Sequence, residues 1–163
     1  MSTDAEGLAF EATASNDIDI TGCTILIVDD NPQNVELLEA YLESLGCRLL
    51  TAFDGASALD AVRQHRPDMM LLDVMMPKLS GFEVCRAVKG DHQYRDTVVL
   101  MVTALHEVAD LERAVECGCD DFLSKPVNKV ELVTRVRGLL KVRVLKRTLA
   151  DYMRRSASGS QNG

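Results

Sequence analysis

The chain has 163 residues, 47% of them hydrophobic but only 4% aromatic with no Trp, and a net charge of −7. That length suits one domain with an aliphatic core, and no run approaches the ~20 apolar residues of a membrane span. Five acids and no base before Thr21 exclude a secretory signal or transit peptide, which points to a cytoplasmic protein.

Residues 1–22 are acidic, rich in small residues and aperiodic, which reads as a disordered tail. From Cys23 the pattern turns regular. A first apolar run, Thr24-Ile-Leu-Ile-Val28, ends in Asp29-Asp30. Asn31-Pro32 then opens a helix, with Asn as cap and Pro at the first helical position. Its buried face carries Val35, Leu38, Leu42 and Leu45, and Gly46 stops it. A second strand over 48–52 leads through Asp54-Gly55 to a helix that turns Ala58, Leu59 and Val62 inward and ends before Pro67. A third strand over 69–73 closes on Asp73. Ser80 and Glu83 form a capping box for the next helix. Val98-Val-Leu-Met-Val102 ends in Thr103, and a helix over 106–116 follows it. A short strand over 122–124 closes on Lys125-Pro126, and Asn128 caps a last helix. Continuous apolar strands alternating with helices give a parallel sheet covered on both faces, an α/β architecture.

In such a sheet, ligands bind beyond the carboxyl ends of the strands. Asp29, Asp30, Asp73, Thr103 and Lys125 all stand at those ends and converge on one site. Singly each has a plainer reading: Asp29 or Asp30 as a helix cap, Thr103 as a strand former, Lys125 as a surface lysine. Together, three carboxylates would repel one another unless a cation neutralises them, and Mg²⁺ suits few protein ligands completed by water and phosphate. Lys125 can neutralise a phosphate oxygen and the Thr103 hydroxyl can donate to it, which describes a metal-assisted phosphoryl site. The five cysteines are an odd number without an export signal, which argues for reduced thiols. Cys117-Gly-Cys119 with His106 makes an incomplete metal set.

Ile25-Leu-Ile-Val-Asp-Asp-Asn31, Leu71-Leu-Asp-Val-Met-Met-Pro77 with Gly81-Phe82, Val102-Thr-Ala104 and Phe122-Leu-Ser-Lys-Pro126 resemble the receiver domain of two-component response regulators over roughly residues 24–140. The resemblance implies a flavodoxin-like (βα)5 three-layer sandwich with parallel sheet order 2-1-3-4-5 and, here, an extended C-terminal helix. It makes Asp73 the phosphoacceptor and Asp30 a direct Mg²⁺ ligand. Asp29 would hold the ion directly or through water, and the Met75 main-chain carbonyl would complete the set. Thr103 and Lys125 would contact the phosphoryl group, Lys125-Pro126 would be cis, and Phe122 would be the aromatic switch. The partner would be a histidine kinase or histidine phosphotransfer protein, and the chain itself would be no enzyme beyond its own phosphorylation and dephosphorylation. Met75 and Leu105, two residues after Asp73 and Thr103, would exclude an attacking water rather than hold one.

Other readings fare less well. A phosphatase of the haloacid-dehalogenase type wants an acid two residues after its nucleophile, where this chain has Met75. A flavodoxin wants a hydroxyl-rich phosphate loop where Asp29-Asp30-Asn31 stands. No DNA-recognition module is visible, and the receiver (residues 23–141) either stands alone or heads a longer regulator with an effector such as a diguanylate cyclase. Residues 142–163 read as a basic helical extension and flexible tail. Over 128–155 there are nine Lys/Arg against two Asp/Glu, and elsewhere nine against 23, so a +7 arm is joined to a −14 body. Along that arm Val142, Leu145, Leu149 and Tyr152 follow a 3-4-3 spacing like a short coiled-coil seam. This seam, or the surface of the fourth helix, fifth strand and fifth helix, suggests a homodimer contact; neither nucleic acid nor membrane is an expected partner.

Overall fold

A computed structural model of the chain describes residues 18–104 and 108–159. Its strands β1 (Thr24–Val28), β2 (Arg48–Ala52), β3 (Met69–Leu72), β4 (Val98–Thr103) and β5 (Asp121–Ser124) form one parallel sheet in the order β2-β1-β3-β4-β5. The helices are α1 (Pro32–Leu42), α2 (Gly55–His65), α3 (Gly81–Gly90), α4 (Val108–Glu116) and α5 (Lys129–Gly159), with a 3-10 turn over Glu43–Leu45. This is the flavodoxin-like sandwich that the motifs imply.

Two apolar layers hold it. Alternate strand residues point to opposite faces, so Leu26, Val28, Met70, Leu72, Val99 and Met101 pack under α2, α3 and the end of α4. Ile25, Ile27, Met69, Leu71, Leu100 and Val102 pack against α1 and α5 through Val35, Leu38, Leu42, Leu132, Val136 and Leu140. The expected helix starts are present: Asn31 accepts from Gln33 N at 3.0 Å, Asp54 from Ser57 N at 2.7 Å and Asn128 from Glu131 N at 3.1 Å. Ser80 and Glu83 close a reciprocal capping box, and Gly46 ends the first helical stretch with a left-handed φ of 72°.

Three readings change on the structure. The third strand stops at Leu72, so Asp73 stands one residue beyond it, its N–H still donating to Val28 O. The last residues before the sheet, at the end of the stretch read as a disordered tail, are ordered: Ile20 is buried in the α1–α5 layer and its carbonyl accepts from Cys23 N at 2.9 Å. At the other end α5 continues as one 31-residue helix to Gly159, past Arg155, where a loose tail is expected from the sequence. His106 and Leu105 lie outside the described residues, as do residues 1–17 and 160–163.

All five cysteines are free, with Cys23, Cys85 and Cys117 buried. Burial first, then neighbouring negative groups, pushes the Cys47 and Cys119 thiols up to about 11. Since the thiolate is the nucleophile but its intrinsic reactivity rises with its basicity, the half-buried pair should alkylate about tenfold more slowly than unfolded thiols at neutral pH. Iodoacetamide labelling of native and denatured chain, read by mass spectrometry, checks this; equal rates at Cys119 would refute it.

Candidate functional site

The register of the sheet builds the site. Val28 lies opposite both Ala52 and Leu72, so β1 and β3 end at one level. Asp29 and Asp73 leave the ladder side by side, Asp73 N still donating to Val28 O at 3.0 Å. One strand further on, β4 and β5 end in the Thr103–Ser124 pair, and Lys125 N donates to Thr103 O at 2.8 Å. Lys125 therefore reaches back across the sheet edge toward the acids. Its peptide bond to Pro126 is cis.

Lys125 Nζ lies 2.9 Å from Asp29 Oδ2 and 3.4 Å from Asp73 Oδ2. Both carboxylates are buried, whereas Asp30 is exposed. Asp29 is also held locally, accepting from Asn31 N at 2.9 Å and from Asn34 Nδ2 at 3.2 Å. The capping role and the site role therefore coexist in one side chain. Asp73 Oδ1 accepts from Met75 N at 3.3 Å. Burial, the largest influence, pushes the Asp73 carboxyl above its ordinary value. Lys125 pulls it down and Asp29 pushes it up again, leaving it raised. Burial also works against the Lys125 charge, but the hydrogen bond to Asp29 and the fields of both acids outweigh it and hold the ammonium above its usual value.

Carboxylate oxygens of Asp29, Asp30 and Asp73 lie within 4.8 Å of one another. Among the described residues, these three acids face one ammonium, that of Lys125. An all-oxygen set with that charge excess fits a hard divalent cation. Thr103 is fully buried at the same edge, and Phe122, one strand over, is half-buried against the α2–α3–α4 layer. The Met75 side chain is 62% exposed, which leaves its main chain as the part nearest the acids.

A protein-family model for the response regulator receiver domain matches residues 25–137. The chain belongs to that family. As a receiver it is 42% identical over 139 residues to the response regulator PleD of Caulobacter vibrioides, covering 85% of this chain but 30% of PleD, so the chain spans less than a third of that relative. It is 34% identical to the polar-differentiation response regulator DivK of Brucella anthropi, covering 72% of this chain and 95% of DivK. Its fold superposes with a TM-score of 0.69 on the signal receiver domain of a signal transduction histidine kinase from Syntrophus aciditrophicus. That match has 37% identity and covers 73% of this chain and 90% of that one. Receivers are phosphoacceptor signalling domains that interact with histidine kinases or phosphotransfer proteins. Among the described residues no helix is long and apolar enough to cross a membrane.

Two features of this site escaped the sequence reading. Asn34, five residues after Asp29, fastens that acid from the first turn of α1; polar residues in a first helical turn are too common to single it out. Gly81 approaches Asp73 so closely that a Cβ there would lie 2.2 Å from the Asp73 carbonyl oxygen. The motif contains this glycine, but only the packing of α3 against the β3–α3 loop shows its task.

Proposed function

We propose that Asp73 accepts a phosphoryl group from the phosphohistidine of a histidine kinase or histidine phosphotransfer protein, and that the chain is a cytoplasmic phosphorelay switch rather than an enzyme with its own substrate. The observation that carries this is Asp73 itself. It is buried, beside one cation and two further acids, with its carboxylate at the open end of the sheet. Its Oδ attacks phosphorus in line as the P–N bond to the donor imidazole breaks, and the bonding pair returns to that ring. Lys125 faces the negative charge gathering on the phosphoryl oxygens, and the Thr103 hydroxyl donates to one of them. Asp29, Asp30 and Asp73 with the Met75 carbonyl would hold Mg²⁺, which when bound neutralises charge on the transferring group.

Once phosphorylated, Asp73 would draw Thr103 inward and give Phe122 room to rotate, repacking the α4–β5–α5 face. That face carries exposed Leu111, Val115 and Val130, apolar groups available to a partner or a second receiver. The match to PleD over under a third of its length favours a receiver that heads a longer regulator, and the near-complete match to DivK favours one that stands alone. No nucleic-acid contact is part of either reading.

The test is incorporation of phosphoryl mass from acetyl phosphate with Mg²⁺. Asp73→Asn should take up none, and chelation should stop uptake by the parent. Equal labelling of the Asn variant would sink the assignment.

A further inference from the structure

The sheet edge opposite the phosphoryl site holds a second charged cluster. Asp68, just before β3, is buried and accepts from Thr24 N at 2.8 Å. Arg147 pairs with its Oδ1, and Arg143 Nε lies 3.8 Å away. These arginines stand one turn apart on α5, so the clasp binds the basic extension to the receiver body and fixes its direction. The opposite side of α5 therefore faces solvent. There Val142, Leu145, Leu149, Tyr152 and Met153 remain 49–68% exposed.

Three occupants compete for this apolar stripe, and its flanks decide between them. With Val142 and Leu149 at one seam position and Leu145 and Tyr152 at the other, Lys141, Lys146 and Arg155 flank it, and no acid does. A parallel in-register pair of these helices would set Lys141 of each copy against Lys146 of the other, and an antiparallel pair would bring basic flank to basic flank. That repulsion disfavours a second copy of this helix on so short a seam. An anionic bilayer is disfavoured too. The stripe is a narrow seam rather than a broad insertion face, and Arg143 and Arg147 are engaged by Asp68 and turned from the stripe. Charge complementarity leaves a helix of opposite sign.

We infer that the outer face of α5 is a docking seam for an amphipathic partner helix with acidic flanks, held at a fixed angle by the Asp68 clasp. Apolar residues of the partner fill the seam between Val142 and Tyr152, and its Glu or Asp side chains meet Lys141 and Lys146. This surface is separate from Asp73, so phosphorylation there serves as a control for folding.

The experiment titrates the full chain against two labelled designed peptides that share Leu at both seam positions, one with Glu flanks and one with Lys flanks. The Glu peptide should bind, more weakly as salt is added, and the Lys peptide should not. The exposed pair Leu145→Gln and Leu149→Gln should weaken binding about tenfold or more, with phosphoryl uptake at Asp73 unchanged. Lys141→Glu with Lys146→Glu should move the preference to the Lys peptide, a reversal that loss of structure cannot produce. Absence of any preference between the peptides overturns the inference. So does a chain dimer that dissociates on Leu145→Gln, or binding to phosphatidylglycerol vesicles that the same change abolishes.

Discussion

Replacing Lys125 with Met should cost the metal-free fold about 3 kcal/mol, because it leaves two buried carboxylates facing each other without the cation between them. The methionine keeps most of the stem's apolar packing, so the loss reports charge rather than a cavity. Mg²⁺ should restore much of the stability, and the variant's melting temperature should climb with added metal more steeply than the parent's, since a ligand that binds only the folded state stabilises it by mass action. Acid should also relieve the variant. A carboxyl whose value is raised by folding holds its proton more tightly in the folded chain, as Asp73 does even beside Lys125. Its protonated form therefore favours the fold at low pH, and that contribution is lost as pH rises through the raised value. Urea melts of both chains, with Mg²⁺ and with chelator, measure each effect. Coincident melts in chelator would show that Lys125 does not neutralise this pair.

Gly81→Ala should do comparable damage for a steric reason. The added Cβ would lie 2.2 Å from Asp73 O and 2.8 Å from Val74 Cα. Both are backbone atoms, so no side-chain rotation relieves the clash. Either α3 moves off the β3–α3 loop or the loop moves, and the latter carries Asp73 and the Met75 carbonyl with it. Gly81 N also donates to Val74 O at 3.0 Å, tying the start of α3 to that loop. Overpacking of this kind costs about 1–3 kcal/mol, and phosphoryl uptake should slow beyond what the lost stability explains. The check is the initial rate of uptake from acetyl phosphate, measured well below the variant's melting temperature. A parental rate and a parental melt together would contradict the steric argument.

Much of this was open to reading in the order of residues. Apolar runs bounded by polar punctuation gave each strand. Asn31-Pro32, Ser80 with Glu83, and Asn128 marked helix starts, because caps are local chemistry acting within three or four residues. The convergence of Asp29, Asp30, Asp73, Thr103 and Lys125 on one edge was also legible. A parallel sheet puts every carboxyl end on the same side, so residues far apart in sequence share a site once the alternation of strands and helices is seen.

What the sequence could not settle were distances and long-range pairings. That Lys125 lies between Asp29 and Asp73 follows from the register of β4 against β5 and of β1 against β3, which no local pattern encodes. The same holds for Gly81, whose need to be glycine arises from a backbone 2.2 Å from its missing side chain. The C-terminal arm shows the difference most clearly. Its 3-4-3 apolar spacing and its positive charge are sequence properties and suggest a seam. Which arginines stay available is not, because Arg143 and Arg147 are engaged by Asp68, which precedes β3 and lies 75 residues earlier in the chain than Arg143. Folding brings that buried acid under the helix, and the clasp fixes which face of the arm is left to solvent.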